Sequence, residues 1–318
     1  MDSATLKDGQ ATASPGGRKA NQDRAMRAGL GEFKFSRKPR SLTRDAFDRL
    51  LRSPSGVVGL VLLVMLILIA ITADWIAPYP PLAVDPPDSF QGPSLDHLLG
   101  TDEFGRDVLS RILHGTRISL QVGIVATLVS VSLGVLLGLA SGYTGGFVDS
   151  VIMRFSDIML AIPSQLLALA IVSALGPSIR NVMLAVGISA VPRFSRLVRS
   201  TVLSAKQNVY VEAAKTIGCR SSDIVFRHIL PNVLGPAVVL ATLYVSSAIL
   251  LAAGLSFLGM GAQPPTPEWG SMLSKGRYYL RSAPWVTAFP GVAIMVTVLS
   301  VNLFGDALRD ALDPRMIR

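Results

Sequence analysis

The sequence predicts an all-α polytopic membrane protein with six transmembrane helices, and three observations carry that prediction. Half of the 318 residues are hydrophobic and only 16% are charged, against about 25% in soluble domains. Mean hydropathy is +0.48, and the apolar residues fall in charge-free blocks long enough to cross a bilayer. Basic residues gather beside particular blocks, as they do in cytoplasmic loops. A soluble enzyme and a disordered chain are both excluded. A single cysteine, Cys219, cannot form an internal disulfide, which excludes a secreted disulfide scaffold. The net charge of +9 and pI near 10 would suggest nucleic acid as the partner of a soluble protein. Here the charges follow membrane topology, so the expected partner is the lipid bilayer and no nucleic acid.

Residues 1–52 hold twelve Lys/Arg and six Asp/Glu without apolar periodicity, which reads as a basic, largely disordered tail with room for a short amphipathic helix over Leu42–Leu51. The uncharged run Ser53–Ala73 follows; at about 1.5 Å per residue it spans a hydrocarbon core of about 30 Å. A cleaved signal peptide is disfavoured, because the run starts after a long tail and exceeds about 15 residues. Residues 53–99 are therefore read as an N-terminal transmembrane helix with an external segment. The remainder, 100–318, carries five more charge-free stretches: Ile118–Val148, Ile158–Ile179, Asn181–Pro192, Ile229–Pro267 and Ser282–Gly305. The fourth span is the weakest. Its twelve uncharged residues cross a bilayer only if the helix continues through Pro192 toward Arg193, Arg196 and Arg199; the alternative is a re-entrant segment.

Loop charges set the orientation. The 193–232 loop has seven basic residues against two acids, whereas 74–117 has three against seven. The tail, the 193–232 loop and, after six crossings, the C-terminus are thus cytoplasmic. Segment 259–285, with three basic residues against one acid, dissents.

Within the spans almost nothing ionises. Arg154 and Asp157, three apart, are expected to pair on one helix face. No intramembrane carboxylate or histidine offers a coupling-ion site, which argues against an ion-driven carrier. Neither a phosphate-binding Gly-rich loop nor a nucleophile–base set is present. His97, His114 and His228 fall in predicted loops without metal-ligand spacing. No catalytic residue, metal or cofactor is expected, and any ATPase must be another chain. Gly134 and Gly138 form a small-x-x-x-small pair, read first as helix packing. Pro163 and Pro236 interrupt spans three and five.

The most specific segment runs from Val211 to Asn232. Glu212–Ile217 reads as a short helix closed by Gly218 in the left-handed conformation. A second short helix follows, with Ser221 or Ser222 as its cap, and Pro231 opens the next span. Such a helix–Gly–helix elbow suits docking to a cytoplasmic partner. From charge alone it could equally be a topology-setting loop.

Its residues are more particular than that. Glu212-Ala213-Ala214, then Gly218, then Leu230-Pro231, resembles the "EAA" loop of membrane subunits of binding-protein-dependent ABC importers. An Ile usually stands ten residues after the Gly; here His228 does, within His228-Ile229-Leu230-Pro231-Asn232, which resembles the peptide-transporter subgroup. Three further segments are similar to the C-type permease of the dipeptide, oligopeptide and nickel importers: Gly100 to Leu120, Leu255 to Gly291, and Gly305 to Arg315. With Asp45–Pro81 similar to that subgroup's N-terminal module, the resemblance covers roughly 41–318.

The resemblance implies a type I ABC-importer permease fold in a bacterial inner membrane, with one span added to a five-span core and a pore shared with a second, homologous permease. It implies that Glu212, Ala213, Ala214, Gly218, Leu230 and Pro231 couple to cytoplasmic ATP-binding subunits. An extracytoplasmic solute-binding protein would deliver the cargo, peptides first, with nickel, glutathione or another small solute as alternatives. A secondary carrier or channel is the different-class alternative. Residues 101–117 carry an apolar stripe of Val108, Leu109, Ile112 and Leu113 beside polar Arg106, Asp107, Ser110 and Arg111. They read as an outer-leaflet interfacial helix in which Asp107 and Arg111 pair, and through which Arg106, Asp107 and Arg111 either dock the binding protein or seal the bundle.

Overall fold

A serine and a proline open the first long helix: Ser53 Oγ accepts from the Gly56 N–H at 3.3 Å, and Pro54 loses nothing at the first helical position. The computed structural model describes residues 49–312. The expected disordered tail, apart from helical Arg49–Arg52, and most of the Leu42–Leu51 helix lie outside the described residues. Helix α1 (Pro54–Ile76) lies against α9 (Trp285–Leu312), where the Cα atoms of Gly56 and Gly59 meet Ala307, Leu303 and Phe304 with no room for a Cβ. The described residues thus form one unit in which the first span is packed on the remainder.

Helix α2 (Val108–Thr144) descends next, followed by α3 (Gly146–Ala161) and α4 (Ser164–Leu175), which are bent 95° from each other at Ile162-Pro163. Helix α5 (Ile179–Lys206) returns, with Ser178 Oγ accepting from Asn181 N–H at 3.2 Å. The short α6 (Val209–Thr216) leads to α7 (Ser221–Phe257), whose turn Ile224–Ile229 is wound as a π-helix. Helix α8 (Trp269–Gly276) and α9 complete the described residues. The described residues contain no strand, only an isolated bridge between Thr101 and Asp107.

Four of these helices, α1, α2, α7 and α9, are long and apolar enough to cross a membrane, and the bent α3–α4 pair makes a fifth candidate. The sequence-predicted fourth span is α5. It continues through Pro192 for 28 residues, about 42 Å at 1.5 Å per residue, but Arg180, Arg193, Arg196 and Arg199 keep its hydropathy low. The fold is compatible with six crossings, of which length and apolarity identify four to five.

The core forms where α2 crosses α5. A Cβ on Gly138 would lie 2.5 Å from Val198 Cβ, one on Gly142 2.8 Å from Val202 Cβ, and one on Gly187 2.8 Å from Val129 Cβ; Gly134 is closed in the same way by Phe194. Small residues here let two backbones approach until their polar groups meet: Ser130 Oγ donates to the Gly187 carbonyl at 2.7 Å, and Tyr244 Oη from α7 donates to the Val186 carbonyl at 2.9 Å.

The paired charges differ from the local expectation. Asp157 is ion-paired across helices with Arg196, not with Arg154, and Asp149 takes a two-pronged bond from Arg199 at 2.6 Å on each arm. A partner on α5 wins because the facing guanidinium reaches the carboxylate end-on, which an i, i+3 neighbour does less well.

Candidate coupling elbow and external layer

At one end of the bundle α6 and the start of α7 form the elbow. Gly218 adopts φ +79°. The Cys219 N–H reaches back to the Ala214 carbonyl at 3.1 Å and the Gly218 N–H to Lys215 at 3.0 Å, the two bonds of a Schellman closure. The inner face, Val211, Ala214, Ile224, Ile229 and Val233, is buried against Leu139, Val198 and Val202. Asn232 Nδ2 donates to Tyr210 Oη at 3.1 Å and to the His228 carbonyl at 2.7 Å, fastening α6 to α7.

One detail corrects the sequence reading and another agrees with it. There is no separate second short helix, since Ser221 begins α7 itself, and neither Ser221 nor Ser222 caps it; Arg220 holds the cap position without a side-chain bond. Pro231 stands, as expected, in the first turn of the regular stretch Leu230–Phe257, directly after the π turn, where the Leu230 N–H bonds Val225. A π turn widens the backbone and accommodates the ring that a regular turn would exclude.

Of the residues expected to couple, Glu212, Ala213, Gly218 and Pro231 are exposed, Leu230 is half-buried and Ala214 is interior. Around them stand apolar side chains that motif reading passed over: Val209 is 80% exposed, Ile217 79% and Phe226 63%. Their signal was available, since Val209, Ala213 and Ile217 recur every four residues on the face opposite Val211 and Ala214. The elbow is a fastened knob whose outer face sets Val209, Ile217 and Phe226 among exposed Glu212, Lys215, Arg220 and Arg227.

At the opposite end, residues 77–107 and 258–284 form a layer over the helices. Asp107 caps α2, accepting from Ser110 N–H and Oγ at 2.7 Å each, and faces His97 Nδ1 at 3.0 Å. Asp102 accepts from Arg106 Nε at 2.7 Å and from the Phe104 N–H at 2.9 Å, with Arg111 Nε at 3.5 Å. Trp269 Nε1 donates to the Ile112 carbonyl and Trp285 Nε1 to Thr101, both at 3.1 Å. Glu268, buried at the start of α8, accepts from Gly270 and Ser271 N–H at 2.9 and 2.8 Å; burial nonetheless pushes its carboxyl above the usual range.

This geometry corrects the interfacial-helix reading. Residues 101–107 are a loop, α2 runs unbroken from Val108, and Asp107 and Arg111 do not pair. Arg106, Asp107 and Arg111 are 4%, 2% and 3% exposed, so they brace the layer from within, and any part in docking is indirect. The expected absence of metal ligands concerns loops that are partly helix, since His114 lies in α2 and His228 in α7; among the described residues no cluster suited to a metal ion occurs.

A bundle of long apolar helices, roofed on one side and carrying a fastened knob on the other, defines an integral-membrane subunit built to engage a partner outside the bilayer. Residues 134–318 match the family described as binding-protein-dependent transport system inner membrane component, and 41–93 match the N-terminal TM domain of oligopeptide transport permease C. The chain is 50% identical over 273 residues to the dipeptide transport system permease protein DppC of Alkalihalophilus pseudofirmus, covering 86% of this chain and 90% of that one. It is 46% identical over 264 residues to the di/tripeptide transport system permease protein DppC of Pseudomonas aeruginosa, covering 81% and 87%. Against the glutathione transport system permease protein GsiD of Pectobacterium atrosepticum identity is 46% over 274 residues, covering 86% and 91%. Among solved structures, the inward-facing MetNI methionine ABC transporter superposes with TM-score 0.52 at 18% identity, covering 64% of this chain and 97% of that one, which extends the likeness to the fold. The chain belongs to the family of binding-protein-dependent transport system inner membrane components, and it is a permease subunit of an ABC importer.

Proposed function

We propose that the chain forms half of the pore of an importer for short peptides, pairs with a second homologous permease, and does no chemistry itself. Cytoplasmic ATPase subunits grip the elbow, and an extracytoplasmic solute-binding protein delivers cargo to the roofed side. The observation that carries this reading is the elbow. Its inner face is tied to α2, α5 and α7, while Val209, Ile217 and Phe226 are exposed on the outer face. A helical knob laid into a partner's groove transmits displacement without bending. Closure of the ATPase pair on ATP would swing the bundle as a rigid body, a coupling free energy between nucleotide state and pore orientation. Loop charges put the elbow and both termini on the cytoplasmic side. Peptide cargo is supported by the printed names of relatives at 46–50% identity.

The test is reconstitution with the second permease, the ATPase subunits and the binding protein. Trialanine uptake should require hydrolysable ATP and survive collapse of the proton gradient at constant ATP. Uptake by this chain alone, driven by a proton or sodium gradient, would make it a secondary carrier.

A further inference from the structure

Three arginines, Arg193, Arg196 and Arg199, follow one another at three-residue intervals along α5. Two are neutralised by α3: Arg196 by Asp157 and Arg199 by Asp149. Arg193 has no acid and no hydrogen-bond acceptor among the described residues, and where a third acid would continue the series the end of α3 and the break after it supply Met159, Leu160 and Ile162. Arg193 is exposed on the α5 surface, beside the buried Phe194 that packs on Gly134. An arginine on a membrane-spanning helix usually faces a partner or a water-filled cavity.

Arg193 faces a cavity. It opens at the α3–α4 break, has a volume of about 390 Å³, and is closed on its far side by α7. Polar groups converge on it: Ser164 and Gln165 from α4, Ser189 from α5, Tyr244 and Ser247 from α7. Tyr244 and Ser189 are occupied by the Val186 carbonyl, whereas Gln165 and Ser247, like Arg193, have no partner among the described residues. One unpaired guanidinium with neutral donors around it, and no carboxylate in the lining, is complementary to an anion with a planar two-oxygen head.

We propose that this cavity is a transit site for a carboxylate-bearing solute, with Arg193 taking the carboxylate in place of the missing third acid. The inference deepens the importer reading and rests on it; under that reading the carboxylate is a peptide's C-terminus. The site would hold cargo released from the binding protein while the pore reorients, and an intermediate charge partner lowers the barrier to passage across the bilayer centre.

The experiment uses the complete transporter in proteoliposomes, with Cys219→Ser and a reporter, Leu250→Cys, on the apolar wall. N-ethylmaleimide, being neutral, does not itself sense Arg193. Under ATP turnover, trialanine with its binding protein should slow labelling of the reporter, Arg193→Gln should abolish that protection, and Arg193→Lys should keep part of it. Uptake should fall about tenfold in Arg193→Gln, equivalent to about 1.4 kcal/mol, while ATP hydrolysis and copurification with the second permease persist. Unchanged protection and uptake in Arg193→Gln would overturn the site. So would loss of copurification, which would make an acid of the second permease the true partner. If the unmodified transporter shows no ATP-driven uptake, the importer reading itself falls.

Discussion

Gly218 illustrates a residue whose backbone matters more than its surroundings. Nothing lies within 4 Å of where its Cβ would be, yet φ is +79°, a region closed to β-branched side chains except under strain. Gly218→Val therefore costs backbone strain of about 1–3 kcal/mol, without steric collision. The elbow should lose its closure while the bundle, whose contacts are elsewhere, inserts and assembles. Uptake by the reconstituted transporter is expected to drop with normal membrane levels of the subunit. Unimpaired uptake would show that the Schellman closure plays no part in coupling. The elbow motif and this glycine's conformation were legible in sequence because both are local. The burial of Arg106, Asp107 and Arg111 was not, because it depends on Trp269 and Trp285, more than 150 residues away, hydrogen-bonding back onto the first turns of α2 and the loop before it.

Between elements, the α2–α5 contact is the most demanding. Four glycines, Gly134, Gly138, Gly142 and Gly187, hold the two backbones where any larger side chain collides with Phe194, Val198, Val202 or Val129. Overpacking a close helix interface costs about 1–3 kcal/mol, and here it would also part Ser130 from the Gly187 carbonyl. Gly138→Val is expected to lower the thermal midpoint of the detergent-solubilised subunit, whereas Gly235→Ala, in open space on α7, should not. Equal midpoints for both would remove the glycine contact as the organising interface. Sequence spacing identified this packing. It could not identify the 95° bend at Pro163, since a proline permits a kink and the neighbours that fill or leave the angle decide its size.

At the scale of the molecule, charge asymmetry between the two ends predicts the orientation and hence the direction of transport. Cys219, the chain's single thiol, is half-buried under Ala214 and would label slowly from either side. A better reporter is Ile217→Cys in a Cys219→Ser chain, 79% exposed at the tip of the elbow. It should resist an impermeant maleimide on intact spheroplasts and react once they are permeabilised. Labelling from outside would invert the topology and detach the elbow from any cytoplasmic ATPase.

The sequence by itself determined the all-helical membrane class, the position of the apolar blocks and the elbow with its glycine, whereas the continuation of α5 through Pro192 was left open until the structure. Each of the first three is written in hydropathy or conformational preference over a few consecutive residues. The tertiary structure decided which charges meet. Asp157 goes to Arg196 rather than Arg154, and Asp107 to His97 and Ser110 rather than Arg111. It also left Arg193 beside a cavity with no partner among the described residues. Ion pairing between helices is settled by which helix faces which and at what register, and that is set by the glycine contact between α2 and α5, not by spacing along the chain.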